Sequence, residues 1–183
     1  MIEENIESLK YPIGKFSDQH FAEAPYSDKL KEELLLEIKV FPKVLEMTIQ
    51  NLDADQLATP YRDGGWTVAQ VVHHLADTHM NAFMRFKKAL TENNPTVEGM
   101  DQDKWVQLPD SKLPVNISLT LLHAIHIKWF ELLKDLPAED WQNTYYHAAK
   151  RKTYTLWDAL KTYVWHGKHH TAQITALIKR KKW

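Results

Sequence analysis

The sequence predicts an all-α protein, built as a four-helix bundle. Four segments, each roughly four to seven helical turns long, carry apolar residues at the three- and four-residue steps of an amphipathic helix. Only five glycines and eight prolines punctuate the 183 residues, and no strand-helix-strand alternation is evident. We therefore expect one bundle domain over residues 1–183, with the order of the helices left open.

The first two predicted helices are marked by apolar stripes and by a capping signal. The first runs from about Asp28 to Asn51, where Pro42 predicts a kink. The residues that recur at three- and four-residue steps are Leu30, Leu34, Leu35, Ile38, Phe41, Leu45, Thr48 and Leu52. The second begins at Thr67, which has the spacing of a capping box with Gln70, and continues to Leu90.

The other two helices follow a long connection that contains three prolines. One helical turn is expected in this connection, near residues 103–108. The third helix is predicted from about Ser118 to Leu136, where Pro137 stops it. The segment 145–155 is expected to be a loop or a loose hairpin. Thr155 then caps a fourth helix that reaches at least Ile178.

The amino-acid composition excludes several classes of function. Lysine and arginine number 23 against 24 acidic residues, so the net charge of −1 argues against a nucleic-acid partner. The chain has no cysteine, which excludes disulfides, thiolate ligands and a protein thiol nucleophile. The first residues lack the features of a secretory signal, and no run approaches the ~20 apolar residues of a membrane span. We expect a cytoplasmic protein without membrane contact.

Ten histidines are the surplus that needs an explanation. His166 and His170 share one stripe of the fourth helix at i and i+4, a spacing that can grip one divalent ion when another helix supplies a third ligand. The alternative is a pair of hydrogen-bonded core histidines. On the second helix, His79 lies nearest the centre of the apolar stripe, and a helical wheel alone favours it. His73 and His74 flank the stripe on opposite sides, where a site open to substrate would need its ligand, so periodicity does not select cleanly among the three.

The remaining histidines of interest are expected to be structural or exposed. Lone imidazoles without a spaced partner are more often packing residues than ligands. The third helix carries His123 and His126, which we expect to be structural. Two others are expected in loops, facing water: His20 and His147.

Several motifs, considered together, point to one family. They are YPIGKF near the start, TPYRDGGWTVAQVVHHLADTHMNAFMRFKKALTE through the second helix, LPDS in the long connection and YVWHGKHHTAQI in the fourth helix. Together they resemble the YfiT-like branch of the DinB superfamily. The resemblance implies a four-helix bundle in which three histidines from two helices surround a divalent ion. Matched to the family motifs, the ligands are His74, eight residues after Trp66, together with His166 and His170.

The resemblance also implies a function. A metal-dependent hydrolase, using one Zn or Ni ion per chain to activate water for attack on a small molecule, is the first expectation. An alternative is a thiol transferase, for which a low-molecular-weight thiol such as bacillithiol would be the cosubstrate because the chain has no cysteine. A second alternative is a non-catalytic bundle that the metal stabilises. The resemblance further suggests a homodimer.

Residues around the predicted ligands complete the expectations. Imidazole ligands are oriented by hydrogen bonds to their second nitrogens, and the second helix offers three polar candidates for that role: Gln70, Asp77 and Asn81. Three aromatic residues are candidates for a pocket wall or for plain core: Tyr61, Trp66 and Trp165.

Overall fold

The computed structural model describes residues 6–183, and it confirms the predicted all-α bundle. Four long helices form the bundle, and three further helices are short. The long helices are α2 (Asp28–Ile49), α4 (Val68–Thr91), α6 (Val115–Leu133) and α7 (Leu156–Lys181). The short ones are α1 (Ile6–Lys10), α3 (Ala54–Leu57) and α5 (Gln102–Trp105).

Side-chain caps explain where three of the long helices begin. The hydroxyl of Ser27 accepts from the amide of Leu30 at the start of α2. Thr67 and Gln70 form the expected capping box of α4. Thr155 accepts from the amide of Asp158 at the start of α7. The helix α6 begins three residues earlier than expected, at Val115, directly after its N-cap residue Pro114, whose backbone is extended (φ −57°, ψ 137°).

The order of the helices around the bundle departs from a simple meander. The helix α2 packs mainly against α6 and α7, and α4 packs mainly against the same two helices. The order around the bundle is therefore α2, α6, α4, α7. The consecutive long helices α2 and α4 lie at opposite corners, so each of them meets α7, and histidines on α4 and α7 can approach each other.

A small three-stranded sheet packs against α4 and α7. Strand β1 (Thr96–Val97) pairs in parallel with β2 (Thr144–His147), which pairs antiparallel with β3 (Lys152–Thr155). The segment 145–155 thus forms the hairpin that was one of two expectations. His147 was expected to face water in a loop, and this prediction is wrong. Alternate residues of a strand face the same side, and His147 shares the buried side of β2 with Tyr145.

Packing inside the bundle is dense and aromatic. Trp129, Trp141 and Phe86 are the largest fully buried side chains.

The helix α2 continues through Pro42 without ending. Because proline has no amide hydrogen, the carbonyl of Ile38 loses its ordinary helical partner and is free to accept from elsewhere. Among the described residues, no helix is long and apolar enough to cross a membrane.

Candidate metal centre

Three imidazoles from two helices converge at one point. His166 and His170 lie one turn apart on α7, and His74 approaches them from α4. One ring nitrogen of each lies within 4.8 Å of the other two. The Nε2 atoms of His74 and His166 are 3.2 Å apart. Two nitrogens, each about 2.0–2.1 Å from a tetrahedral zinc ion, are themselves about 3.3 Å apart. The spacing of this pair therefore suits a shared ion.

The tautomer of His170 follows from its neighbours. The Nε2 amide of Gln173 donates to the backbone carbonyl of Lys10 at 2.8 Å, which fixes the orientation of the Gln173 side chain. The Oε1 atom of Gln173 then lies 2.8 Å from Nδ1 of His170. Because an amide oxygen only accepts, the proton of His170 is on Nδ1. The lone pair on its Nε2 is left for a ligand.

The tautomer of His166 is fixed by a longer chain, here called the histidine relay: His126, His79 and His166. Nδ1 of His126 donates to the free carbonyl of Ile38 at 2.6 Å, so its Nε2 accepts. Nδ1 of His79 donates to that Nε2 at 2.8 Å. Nε2 of His79 accepts from Nδ1 of His166 at 3.3 Å. The proton of His166 is therefore on Nδ1, and its Nε2 also carries a free lone pair.

Burial keeps the three imidazoles neutral. Desolvation lowers the pKa of His74 to about 4. Burial, reinforced by the neighbouring imidazoles, lowers the pKa values of His166 and His170 well below their usual range. Neutral imidazole is the form that coordinates a metal. Three neutral nitrogen donors, with two tautomers fixed by hydrogen bonds, fit a divalent ion such as Zn²⁺ or Ni²⁺.

Aromatic rings and two cavities surround the centre. The ring of Trp66 packs 4.6 Å from that of His74, between centroids. A cavity of about 570 Å³ reaches His166 and His170, and its wall includes the three predicted aromatic residues: Tyr61, Trp66 and Trp165. A second cavity of about 270 Å³ reaches His74 and His166. Small molecules can approach the centre through either one.

Two neighbouring histidines are directed elsewhere. His73 bonds to Ser118 Oγ at 2.7 Å and to the carbonyl of Leu113 at 3.1 Å, so it fastens the long connection and α6 to α4. His169 stacks on Trp165 with ring centroids 4.6 Å apart. Its Nε2 accepts from Gln173 at 3.0 Å. The structure thus brings together the first and last histidines of WHGKHH, with His74 rather than His73.

The polar residues expected to orient the ligands do not contact them. Gln70 caps α4 and reaches the carbonyl of Val106. The amide of Asn81 donates to the carbonyl of Asp77 and to the sulfur of Met100. Burial, together with Asp110, raises the pKa of Asp77 to about 6. Among the described residues, none of the three expected partners bonds to an imidazole. Asn81 does line a cavity together with His74, but it forms no hydrogen bond to that imidazole, and the prediction of an orienting role for the three residues is corrected.

The orienting role falls instead to residues that the sequence analysis assigned differently or missed. His126 is buried and structural, as expected, and His79 occupies the centre of the apolar stripe. Their place in the histidine relay depends on three helices meeting, which periodicity does not reveal. Gln173 had a local signal, because it lies three residues after His170 on the same helix. His123, half-exposed, lies 3.5 Å from Glu46, and His20 is exposed.

Fold and site together define a class, the four-helix bundles in which histidines of two helices converge beside open cavities. The model of the DinB superfamily matches residues 37–174. The chain belongs to this superfamily. It is similar to YfiT from Bacillus subtilis, described as "a probable metal-dependent hydrolase with an unusual four-helix bundle topology", with 41% identity, a TM-score of 0.90 and coverage of 96% of this chain and 99% of that one.

Curated relatives match over nearly the whole chain. Proteins of Bacillus cereus and Bacillus anthracis are each 47% identical over 175 residues, which cover 96% of this chain and 98% of the relative. Both carry the name "Putative metal-dependent hydrolase". Among DinB superfamily members, the chain is therefore YfiT-like.

Proposed function

We propose that this protein is a metal-dependent hydrolase, which holds one Zn or Ni ion through Nε2 of His74, His166 and His170. The observation that carries the proposal is the convergence of these nitrogens, with the lone pairs of His166 and His170 freed by hydrogen bonds to their other nitrogens. The names of the YfiT-like relatives favour the same activity.

Each part of the site has a definable task in such a reaction. A divalent ion held by His74, His166 and His170 would supply Lewis acidity, which can lower the pKa of a water molecule to about 7. The histidine relay and Gln173 hold two imidazoles in the ligating tautomer. Burial disfavours their protonation. The two cavities admit a small molecule to the centre.

A screen for turnover tests the proposal. The untagged chain, reconstituted with Zn or Ni, would be assayed against panels of esters and amides, and against electrophiles with and without a small thiol. We expect hydrolysis that needs no thiol and that is lost in His170→Ala. His73→Gln is the control, because His73 is buried but directed away from the centre, and we expect this variant to retain the activity. Turnover that requires the thiol would contradict hydrolysis and assign the thiol transferase. Equal hydrolysis in His170→Ala would refute the site.

A further inference from the structure

The smaller cavity beside the centre is built along one stripe of α4. His74, Thr78, Asn81 and Arg85 follow each other at i, i+4, i+7 and i+11, so they share one face of the helix and all four line the cavity. The opposite wall comes from the β2–β3 hairpin and from α7. The cavity therefore extends from the three-histidine centre toward Arg85.

Arg85 is half-buried and has no acidic partner. Its Nη1 donates to the hydroxyl of Tyr163 at 2.8 Å, and its Nη2 donates to the backbone carbonyl of Glu98 at 2.8 Å. None of the ion pairs in the described part of the chain includes it. A guanidinium has five N–H donors, and these two contacts leave several unused. A half-buried arginine with unused N–H donors and no carboxylate partner can receive the carboxylate of a ligand.

Further donors from the hairpin line the same cavity. Lys150 lines the cavity with its ammonium 5.7 Å from the centroid of the Tyr154 ring. Although Lys150 is an exposed residue, desolvation of its ammonium and the nearby charges of Arg85 and Lys152 lower its pKa. His147 accepts from the amide of Lys150 at Nδ1, so its own proton is on Nε2. No aspartate or glutamate is among the described residues that line this cavity.

The cationic end of the cavity is close to the histidine centre. The ring of Tyr163 lies 6.5 Å from that of His166, between centroids, and the hydroxyl of the same tyrosine receives the bond from Arg85. One tyrosine ring thus separates the guanidinium from a candidate metal ligand. The cavity volume of about 270 Å³ suits a small molecule, with one end at Arg85 and the other at His74 and His166.

From this arrangement, we propose that the substrate is a small organic anion. Arg85 and Lys150 bind its carboxylate or phosphate group, while its reacting part lies at the three-histidine centre. This inference rests on the proposed function for the reaction but names the substrate class. The shared chemistry of the two groups is a set of oxyanion acceptors, which a guanidinium can receive through two parallel hydrogen bonds.

Anion binding can be measured without turnover. The ¹⁵N-labelled chain, in metal-free and zinc-loaded form, would be titrated with inorganic phosphate, with succinate and with neutral succinamide, and followed by NMR at the amides of residues 147–151 and at the Arg85 side chain. We expect saturable binding of an anion in both forms and none of succinamide. Tighter phosphate binding assigns a phosphate group, and tighter succinate binding assigns a carboxylate.

Matched variants locate the site. Arg85→Gln is expected to weaken anion binding by tenfold or more, because a charge-assisted contact is removed, and Arg85→Lys to retain part of the affinity. Arg62→Gln is the control, because Arg62 also donates to a tyrosine hydroxyl and a backbone carbonyl but lines the other cavity. Circular dichroism verifies folding. An affinity within twofold of the parent in Arg85→Gln, or an equal loss in Arg62→Gln, would overturn the proposal.

Because both the metal-free and the zinc-loaded protein are titrated, a failure of this inference can be distinguished from a failure of the proposed function. Anion binding by a chain that holds no metal after reconstitution would support the cationic cavity and contradict the hydrolase. Stoichiometric zinc without saturable binding of either anion would leave the three-histidine centre standing and refute the anionic substrate.

Discussion

Replacing His126 with phenylalanine tests whether the histidine relay controls metal affinity from a distance. The substitution keeps a buried ring but removes the donor to Ile38, at 2.6 Å, and the acceptor for Nδ1 of His79, at 2.8 Å. Without that acceptor, the proton of His79 can move to Nε2, which then donates to Nδ1 of His166. His166 must in turn be protonated on Nε2, the atom that would bind the ion.

The expected magnitudes follow from the bonds removed. Loss of a partner that orients a metal ligand typically weakens metal affinity about 10–100-fold, or about 1.4–2.7 kcal/mol. Leaving the Ile38 carbonyl and Nδ1 of His79 buried without hydrogen-bond partners costs about 1–3 kcal/mol each in the free energy of unfolding. The substitution therefore weakens both metal binding and the fold.

Competition with a chromophoric chelator at pH 7.5 gives the zinc Kd, and thermal melts followed by circular dichroism show that the variant is folded. His123→Phe is the matched control, because His123 lies on the same helix, half-exposed and beside Glu46 rather than in the relay. We expect its zinc Kd to stay within twofold of the parent. A folded His126→Phe whose zinc Kd is also within twofold of the parent would refute the relay.

Three further predictions concern pH, metal removal and packing. The metal-free protein should lose stability as pH falls from 7 to 5, by about 2 kcal/mol for each of His74 and His126. Their pKa values of about 4 in the folded chain lie below the unfolded value, so the unfolded chain binds more protons in this range. A free energy of unfolding in urea that does not fall between pH 7 and pH 5 would contradict this prediction. Chelation should leave the helical circular dichroism intact, because the apolar core does not depend on the ion; unfolding would favour the metal-stabilised bundle. Gly167→Ala should lower the free energy of unfolding by about 1–3 kcal/mol, because a Cβ there would lie 2.8 Å from the ring of Phe41; an unchanged melting temperature would contradict the packing.

Much of the bundle could be predicted because its signals are local. The stripes of α2, α4, α6 and α7 and the caps at Thr67 and Thr155 depend only on residues within a turn or two of each other. The helix order depends instead on how complete helices pack, and no short-range pattern encodes it. Strand β1 was not predicted because two residues cannot show a periodicity, and its pairing partner lies about fifty positions away in the sequence.

Part of the candidate site could likewise be predicted from local signals, and part could not. The spacing of His166 and His170 marks a shared face on one helix, whereas the choice of His74 over His73 and His79 required the resemblance to a family. The role of His79 depends on Pro42, which frees the Ile38 carbonyl on a different helix. Three helices must meet before that chain of hydrogen bonds exists.

Elemental analysis of the purified, untagged protein tests the central claim most directly. After reconstitution with zinc or nickel, we expect about one ion per chain in the parent and in His73→Gln, and far less in His74→Ala, with helicity retained in all three. His73 and His74 are adjacent and both buried, so His73→Gln controls for the loss of a neighbouring buried imidazole. A stoichiometric ion retained in His74→Ala, or no ion in the parent after reconstitution, would contradict the three-histidine centre.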